Sequence, residues 1–594
     1  MSVNSSGKSN PPTHKGSGYR RKNHFSESLS ESIASRIAAQ HFSEGAAFRV
    51  GVQRFTSHRD RMTFMFDHDD FNRTTPYKSL RIAAERSLRG SLGSHGQRPW
   101  FQVRNECLLR RTNAASIRMT FLGWIFSIFG YGLTLLLLPV VLLVKKRQPV
   151  SSVAWMLSIV FIPIAGAVLF LVFGINRVER RKASKQRSTE QLAEQRLVPT
   201  EPLRRPRDDD RPETRRLMRL TQQLTDEWPT EGNCIELLTD TNRTLGLIEQ
   251  ALLGARESIH LEYYIWQPDR TGTRIRDLLI RKAREGVRVR FLYDGFGSFW
   301  LTNRFLRPMR EAGIQIATFL PGQSFRERWS LNLRNHRKIV VVDGRVAFTG
   351  GMNIGDEYVG RSSAFGFWRD AHLRVVGPEV WRHQLVFAED WYYATGEVLP
   401  DSDSFPPPEA AGTVTAQTVS SGPEQETSIF QALLLEAINQ AQDRVQLVTS
   451  YFAPPGAIIS ALENAAFRGV RVRLLLSGRM NHFLTLLAGR AIYDSLLRAG
   501  VEISEYQRGL LHSKTLTIDG HWSLVGSANV DCRSLFLNFE AGVVLYDECL
   551  AEQLEQQFER DAEDSTRIIP EVWDRRPWYY IMSENFCRLF TPAL

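Results

Sequence analysis

Residues 335–353 read NHRKIVVVDGRVAFTGGMN, and residues 511–529 read LHSKTLTIDGHWSLVGSAN. Both obey H-x-K-x4-D-G-x5-G-x-x-N, with His336 and His512 separated by 176 residues. A pattern of this length, met twice in one chain, marks an internal duplication. It confines the chain to folds in which two similar halves bring equivalent strands to one interface.

The surrounding rhythm gives the class of those halves. An apolar strand, SIHLEYYIW (258–266), leads through the helical RIRDLLIRKAREG to a second strand, VRVRFLYDG (287–295). RVQLVTSYF (444–452) leads in the same way through AIISALENAAFRG to VRVRLLLSG (470–478). Strands alternating with helices predict β-α-β units and a mixed or largely parallel sheet. GVRVR itself recurs, at 286 and at 469.

A chain of 594 residues has room for more than one domain. Its five cysteines stand far apart with no C-x-x-C spacing, which argues against a disulfide framework or a structural zinc site and fits a reducing compartment. The net charge of +11 is local: residues 1–118 hold 20 Lys and Arg against 9 Asp and Glu, leaving 55 against 55 in the rest. A basic tail beside a membrane segment fits anionic lipid at least as well as DNA.

We expect a basic, mostly disordered segment over 1–115, in which Phe25, Leu29, Ile33 and Ile37 could form a short amphipathic surface helix. Residues 119–144 and 153–174 are apolar runs without a charged residue, each long enough to cross a bilayer. They predict a transmembrane hairpin within 116–176. Ten positive charges flank its ends (Arg104, Arg110, Arg111, Arg118, Arg177, Arg180, Arg181, Lys182, Lys185, Arg187) against Lys145, Lys146 and Arg147 in the turn. Both ends, and the catalytic portion, are therefore expected on the cytoplasmic side. A charged linker over 177–230, with helix near its ends, then leads to two halves, 231–410 and 411–594.

Residues two apart in a strand face the same way, so His336 with Lys338, and His512 with Lys514, present an imidazole and an ammonium together. Two such strands side by side, with the amides of Asn353 and Asn529, make a pocket for a phosphate diester. One histidine can attack phosphorus while the other protonates the departing alcohol and deprotonates the incoming one. No His and carboxylate cluster suggests a metal, and the chemistry needs no other cofactor. Asp343 and Asp519 each precede a glycine, a position suited to holding a strand turn.

The motifs resemble the paired HKD signatures of the phospholipase D superfamily. The chain from about residue 120 onward resembles the bacterial cardiolipin synthases within it, through KKRQP, AWMLSIVFIPIAG, NLRNHRKIVVVDG, FWRDAHLRVVGPEV and LFLNFE. The resemblance implies a pseudo-dimer of two α/β sandwiches with the active site where they meet. It makes His336 the nucleophile and His512 the acid and base, an order that the symmetry leaves open. It counts Lys338, Lys514, Asp343 and Asp519 in the catalytic signature and gives Asn353, Asn529 and Ser527 to the phosphate. It also implies carboxylates that orient the histidine of the other half: Glu540, 28 residues after His512, and, as the weaker match, Asp370, 34 residues after His336. Gly351 departs from the pattern where the second repeat has Ser527.

The resemblance further implies phosphatidyl transfer between two phosphatidylglycerol molecules at the bacterial inner membrane, releasing glycerol and giving cardiolipin. Attack by water instead would make a phospholipase D-type hydrolase. A nuclease of the superfamily would show a basic catalytic region, which this chain lacks, so phosphatidylglycerol and anionic membrane lipids are the expected partners and nucleic acid is not. A tyrosyl-DNA phosphodiesterase is disfavoured by the two aspartates, and a non-catalytic scaffold by the near-complete motifs. A homo-oligomer is compatible with the pattern. Trp573, Trp578, Tyr579 and Tyr580, with Arg575 and Arg576, could form an interfacial belt or a terminal helix packed on its own domain.

Overall fold

The computed structural model describes Trp124, Lys185 and residues 129–143, 149–171, 203–319, 333–362, 366–399, 404–479 and 483–591. All belong to one compact unit, Ser116–Leu594. The basic tail, with its amphipathic stretch from Phe25, lies outside the described residues, as does most of the linker before residue 203.

The fold is mixed α/β. The first half contributes β1 (Thr230–Leu238), β2 (Ser258–Tyr263), β3 (Arg288–Asp294), β4 (Gln315–Phe319), β5 (Arg334–Asn335), β6 (Ile339–Val342), β7 (Val346–Gly350), β8 (Phe367–Arg369) and β9 (His372–Val376). The second contributes β10 (Val414–Ser421), β11 (Arg444–Thr449), β12 (Phe452–Ala453), β13 (Arg471–Ser477), β14 (Glu502–Tyr506), β15 (Gly509–Leu511), β16 (Thr515–Ile518), β17 (Trp522–Gly526), β18 (Val530–Asp531), β19 (Asn538–Tyr546) and β20 (Ser565–Arg567). One large sheet runs through both halves. From one edge inward its order is β4-β3-β2-β6-β7-β9-β1, and from the other β20-β14-β13-β11-β16-β17-β19-β10, with β1 and β10 antiparallel in the middle. Apart from the extra β20, the two readings match strand for strand. In each half the two outermost pairings that correspond, β2 with β3 and β3 with β4, or β11 with β13 and β13 with β14, are parallel.

The parallel pairs need crossovers, and amphipathic helices supply them. Arg270–Arg284 joins β2 to β3 and buries Ile275, Leu278 and Leu279. Gly456–Phe467 follows β11 and β12 and buries Ile458, Ala461, Leu462 and Ala465. A further apolar cluster draws on both halves, joining Ile339, Val341 and Val375 to Val525, Val543 and Leu545, so the middle of the sheet is a shared core.

One expectation comes out differently. Within the apolar runs, helix is described over 129–143, Pro149–Phe161 and Pro163–Leu169, and no helix among the described residues is long and apolar enough to cross a membrane. The second run breaks at Ile162, because Pro163 disfavours helical geometry in the residue before it. The helices still pack together through Leu137, Val141, Ile159, Ala167 and Phe170 while exposing Leu135, Leu136, Leu142, Leu143 and Phe161. Near the end of the charged segment 177–230 stands the helix Pro212–Thr225, whose Leu217 and Met218 are buried, Leu217 in the second half's core.

Candidate active site

The two motif segments do not lie within strands. His336–Lys338 bridges β5 and β6, and His512–Lys514 bridges β15 and β16. Each segment pairs instead with the other half. β5 runs parallel to the start of β19, and the His336 N–H donates to Phe539 O at 2.8 Å. β15 runs parallel to β8, and the His512 N–H donates to Arg369 O at 2.7 Å. The residues that follow Phe539 and Arg369 are Glu540 and Asp370. This exchange of strands carries each carboxylate to the opposite histidine.

His336 Nδ1 lies 2.9 Å from Glu540 Oε2, and His512 Nδ1 lies 2.7 Å from Asp370 Oδ2. A carboxylate at Nδ1 fixes the neutral ring with its proton on that nitrogen, which leaves the Nε2 lone pair for chemistry. Burial lowers the pKa of both histidines, with Glu540 opposing the change at His336. At His512, burial and the Lys514 charge bring the pKa to about 4. Burial pushes the Glu540 carboxyl up, but His336, Lys338 and Ser527 outweigh it and bring it down to about 2. At Asp370, likewise, His512, Lys514 and the Ala371 N–H overcome burial and hold the carboxyl below its usual range. The site therefore rests as neutral imidazoles on ionised carboxylates.

The lysines belong to the same buried cluster. Lys338 Nζ donates to His336 O at 2.5 Å and sits 5.4 Å from the centre of the Tyr264 ring. Lys514 Nζ donates to Ser450 Oγ at 2.8 Å and to His512 O. Burial, with Lys514 nearby, takes Lys338 down to about 7, and burial takes Lys514 to about 8. The Lys514 charge is felt at His336 and that of Lys338 at His512, so the motifs converge on one pocket. Two buried ammoniums beside two imidazoles suit an anionic phosphate diester. Among the described residues, no group of three or more His, Cys, Asp or Glu could hold a metal ion.

The remaining expected residues divide. Asn529 Oδ1 is buried without a hydrogen-bond partner, and its amide lies 3.5 Å from Ser534 Oγ. Asn353 Oδ1 accepts from the Ile265 N–H at 3.1 Å, which ties the motif to the chain beside Tyr264. Ser527 is tied to the carboxylate: its hydroxyl donates to Glu540 Oε2 at 2.5 Å and accepts from the Ala541 N–H at 3.0 Å. Asp343 and Asp519 lie outside the cluster. Asp343 accepts from the N–H groups of Arg256, Glu257 and Ser258, and Asp519 from those of Gln442, Asp443 and Arg444, each with positive φ. They bind the motif turn to the start of the neighbouring strand and touch no reacting group.

A family model described as "Cardiolipin synthase, PLD-like domain" matches residues 248–364 and 434–562, which contain both motifs. A second, described as "Phospholipase_D-nuclease N-terminal", matches 132–174. The cardiolipin synthase of Halalkalibacterium halodurans is 35% identical over 492 residues, spanning 82% of this chain and 98% of that protein. Cardiolipin synthase 1 of Bacillus anthracis is 37% identical over 486 residues, 80% of this chain and 94% of its own length. The chain belongs to the cardiolipin synthase family.

In this cardiolipin synthase family member the sequence reading overlooked a buried polar network behind His336. Arg337 points away from the pocket, donating to Glu540 O at 3.2 Å, to Ser421 O at 3.3 Å and to Asp390. Asp390 also accepts from Lys185 Nζ at 2.7 Å. Glu262, its pKa raised well above normal by burial and by Asp390, accepts from the Asn335 amide. Nothing in the H-R-K segment marks Arg337 as buried, and 205 residues separate Lys185 from Asp390 with nothing local to link them. Tyr264 and Ser450 were findable, since they hold the same place in the repeated EYYIW and VTSYF stretches and each meets its motif's lysine.

Proposed function

We propose that this protein is a membrane-anchored phosphatidyltransferase that joins two phosphatidylglycerol molecules into cardiolipin and glycerol. The observation that carries this reading is the reciprocal pairing of His336 with Glu540 and His512 with Asp370, which presents two Nε2 atoms beside two buried ammoniums. In the first step Nε2 of His336 attacks phosphorus, the bond from phosphorus to the glycerol oxygen breaks, and His512 gives its proton to that oxygen. The charge of the bound diester restores a proton to His512, whose free-site pKa of about 4 reflects burial beside Lys514. In the second step His512 takes the proton of the acceptor's terminal hydroxyl, that oxygen attacks phosphorus, and the bond to His336 breaks. Lys338, Lys514 and Asn529 hold the nonbridging oxygens through both steps.

The uncharged runs 119–144 and 153–174, the exposed leucines on their helices and the N-terminal family match at 132–174 support the membrane anchor. Anchoring concentrates the lipid alcohol near the site and favours transfer over hydrolysis. The test is a product assay with purified full-length protein in micelles of phosphatidylglycerol, beside His336→Ala. Equal amounts of cardiolipin and glycerol, absent from the variant, are expected. Phosphatidic acid in place of cardiolipin would make the protein a hydrolase.

A further inference from the structure

The loop after β3 exposes three aromatic side chains within five residues: Phe296 is 55% exposed, Phe299 69% and Trp300 64%. The backbone of this loop is held by side-chain hydrogen bonds. Asp294 Oδ1 accepts from the Phe296 and Gly297 N–H groups at 2.9 and 2.8 Å, and its other oxygen accepts from the Asn335 N–H at 2.8 Å. Ser298 Oγ donates to Tyr264 O and accepts from the Trp266 N–H, both at 2.9 Å. A Cβ at Gly297 would stand 2.4 Å from Tyr264 O, so only glycine allows this approach. Phe299 and Trp300 meet edge to face at 5.5 Å.

The loop is also fastened to the reacting centre. Asn335 directly precedes His336, the Tyr264 ring packs edge-on 4.8 Å from the His336 ring, and the Arg334 guanidinium lies 3.7 Å from the centre of the Phe296 ring. Next comes the helix Asn303–Glu311, which buries Phe305, Leu306 and Met309 and exposes Arg304, Arg307 and Arg310. Within this helix Glu311 alone opposes them, pairing with Arg307, so the helix carries three positive charges against one, a net +2. Rigid exposed aromatics backed by arginines match the interface of an anionic bilayer, where rings sit at headgroup depth and cations meet phosphate.

We propose that Phe296, Phe299 and Trp300, backed by Arg304, Arg307 and Arg310, dock the catalytic half onto an anionic phospholipid bilayer and set the His336 side of the pocket at headgroup level. The proposal rests on the lipid substrate argued above and adds the surface through which that substrate is reached. The pair Phe299→Ser and Trp300→Ser tests it without touching the pocket. Full-length protein would be assayed on long-chain phosphatidylglycerol in vesicles and on short-chain phosphatidylglycerol dispersed below its micelle threshold. Removing two rings that leave water on docking is expected to cost roughly tenfold or more on vesicles and less than about twofold on the dispersed lipid. Equal rates on vesicles, or equal losses on both lipids, would overturn the proposal.

A second readout does not depend on turnover. A bimane group on Phe299→Cys, with Cys107, Cys234 and Cys549 changed to Ser, is expected to be quenched in phosphatidylglycerol nanodiscs that carry doxyl lipids. An unquenched bimane would also overturn the docking surface. Quenching in a protein that forms no cardiolipin from either lipid would support the surface while sinking the transfer reading.

Discussion

The two halves solve one problem, holding a carboxylate against the other half's histidine, with different atoms. In the second half Glu540 reaches His336 while Ser527 fills the space beside it, and the Ala541 N–H donates to the serine hydroxyl at 3.0 Å. In the first half the carboxylate is shorter and takes over the serine's place: Asp370 Oδ1 accepts from the Ala371 N–H at 2.8 Å, while Oδ2 holds His512. The backbone around them is the same, since the Gly351 N–H donates to Ala371 O at 3.0 Å and the Ser527 N–H to Ala541 O at 2.8 Å. The glycine that breaks the repeat is thus the steric complement of an aspartate. A Cβ at Gly351 would lie 2.1 Å from Asp370 Oδ1. Duplication supplied the frame, and each half then settled one side chain and its neighbour together.

That coupling yields the largest expected effect. Gly351→Ser should push Asp370 off His512 and lower cardiolipin formation by roughly 10²-fold, the scale of a misplacement of about 1 Å. Adding Asp370→Glu converts the first half to the second half's arrangement, and the double variant should recover most of the loss. Ser527→Gly removes only a supporting hydroxyl and should cost less than Gly351→Ser. If the double variant is no better than Gly351→Ser, as read by product formation, the two positions are not the exchangeable pair the comparison makes them.

A second contrast lies in the lysines. Lys514 donates to Ser450 Oγ, whereas Lys338 faces the Tyr264 ring, and burial lowers them to about 8 and about 7 respectively. In the free protein Lys338 therefore loses its proton first as pH rises, followed by Lys514. An anionic diester favours the charged forms, so its binding takes up protons in this range and weakens as pH rises. We expect kcat/KM, which reports the free protein, to start falling near pH 7 as Lys338 loses its proton and to fall more steeply, towards roughly 10²-fold per unit, above about pH 8 as Lys514 follows. In Lys338→Arg the guanidinium stays charged, so its remaining activity should decline at higher pH than wild type. An unchanged upper limb in that variant would assign it to another group.

How far the sequence revealed this site follows from the range of each interaction. The duplicated motif and the β-α-β units were legible because periodicity and repetition are local. Glu540 was legible because LFLNFE carries the family's context, while Asp370 was the weaker match because its context WRDAH could equally fix a loop, and the break in the repeat at Gly351 had no visible partner. The reason for that break is a contact across 19 residues, visible only once β7 and β9 are paired. The strand exchange was not legible at all, since β5 offers just two residues and nothing in Arg334–Asn335 announces β19 as its partner. The break at Pro163 was available to sequence reasoning and was overridden by hydropathy summed over the run. The Lys185, Asp390 and Arg337 network depends on groups brought together from three distant segments, and burial alone makes their pairing obligatory.

The smallest expected effect concerns the residues the motif itself most advertises. Asp343 and Asp519 each accept three backbone N–H groups at 2.8–2.9 Å and occupy turn positions with φ of 53° and 50°. Their surroundings agree in both halves, in contrast to the Gly351 and Ser527 sites. Asp343→Asn and Asp519→Asn keep one acceptor oxygen and lose the charge-assisted part of the bonding, so each should destabilise the fold by about 1–2 kcal/mol, measured by urea unfolding. Catalysis per folded molecule should change by less than about twofold, because neither carboxylate contacts the histidines or lysines whose positions set the rate. A loss of 10²-fold or more in a variant that unfolds normally would return these aspartates to the chemistry. A loss confined to one half would mean that the matching geometry of the two turns conceals a difference in what they support.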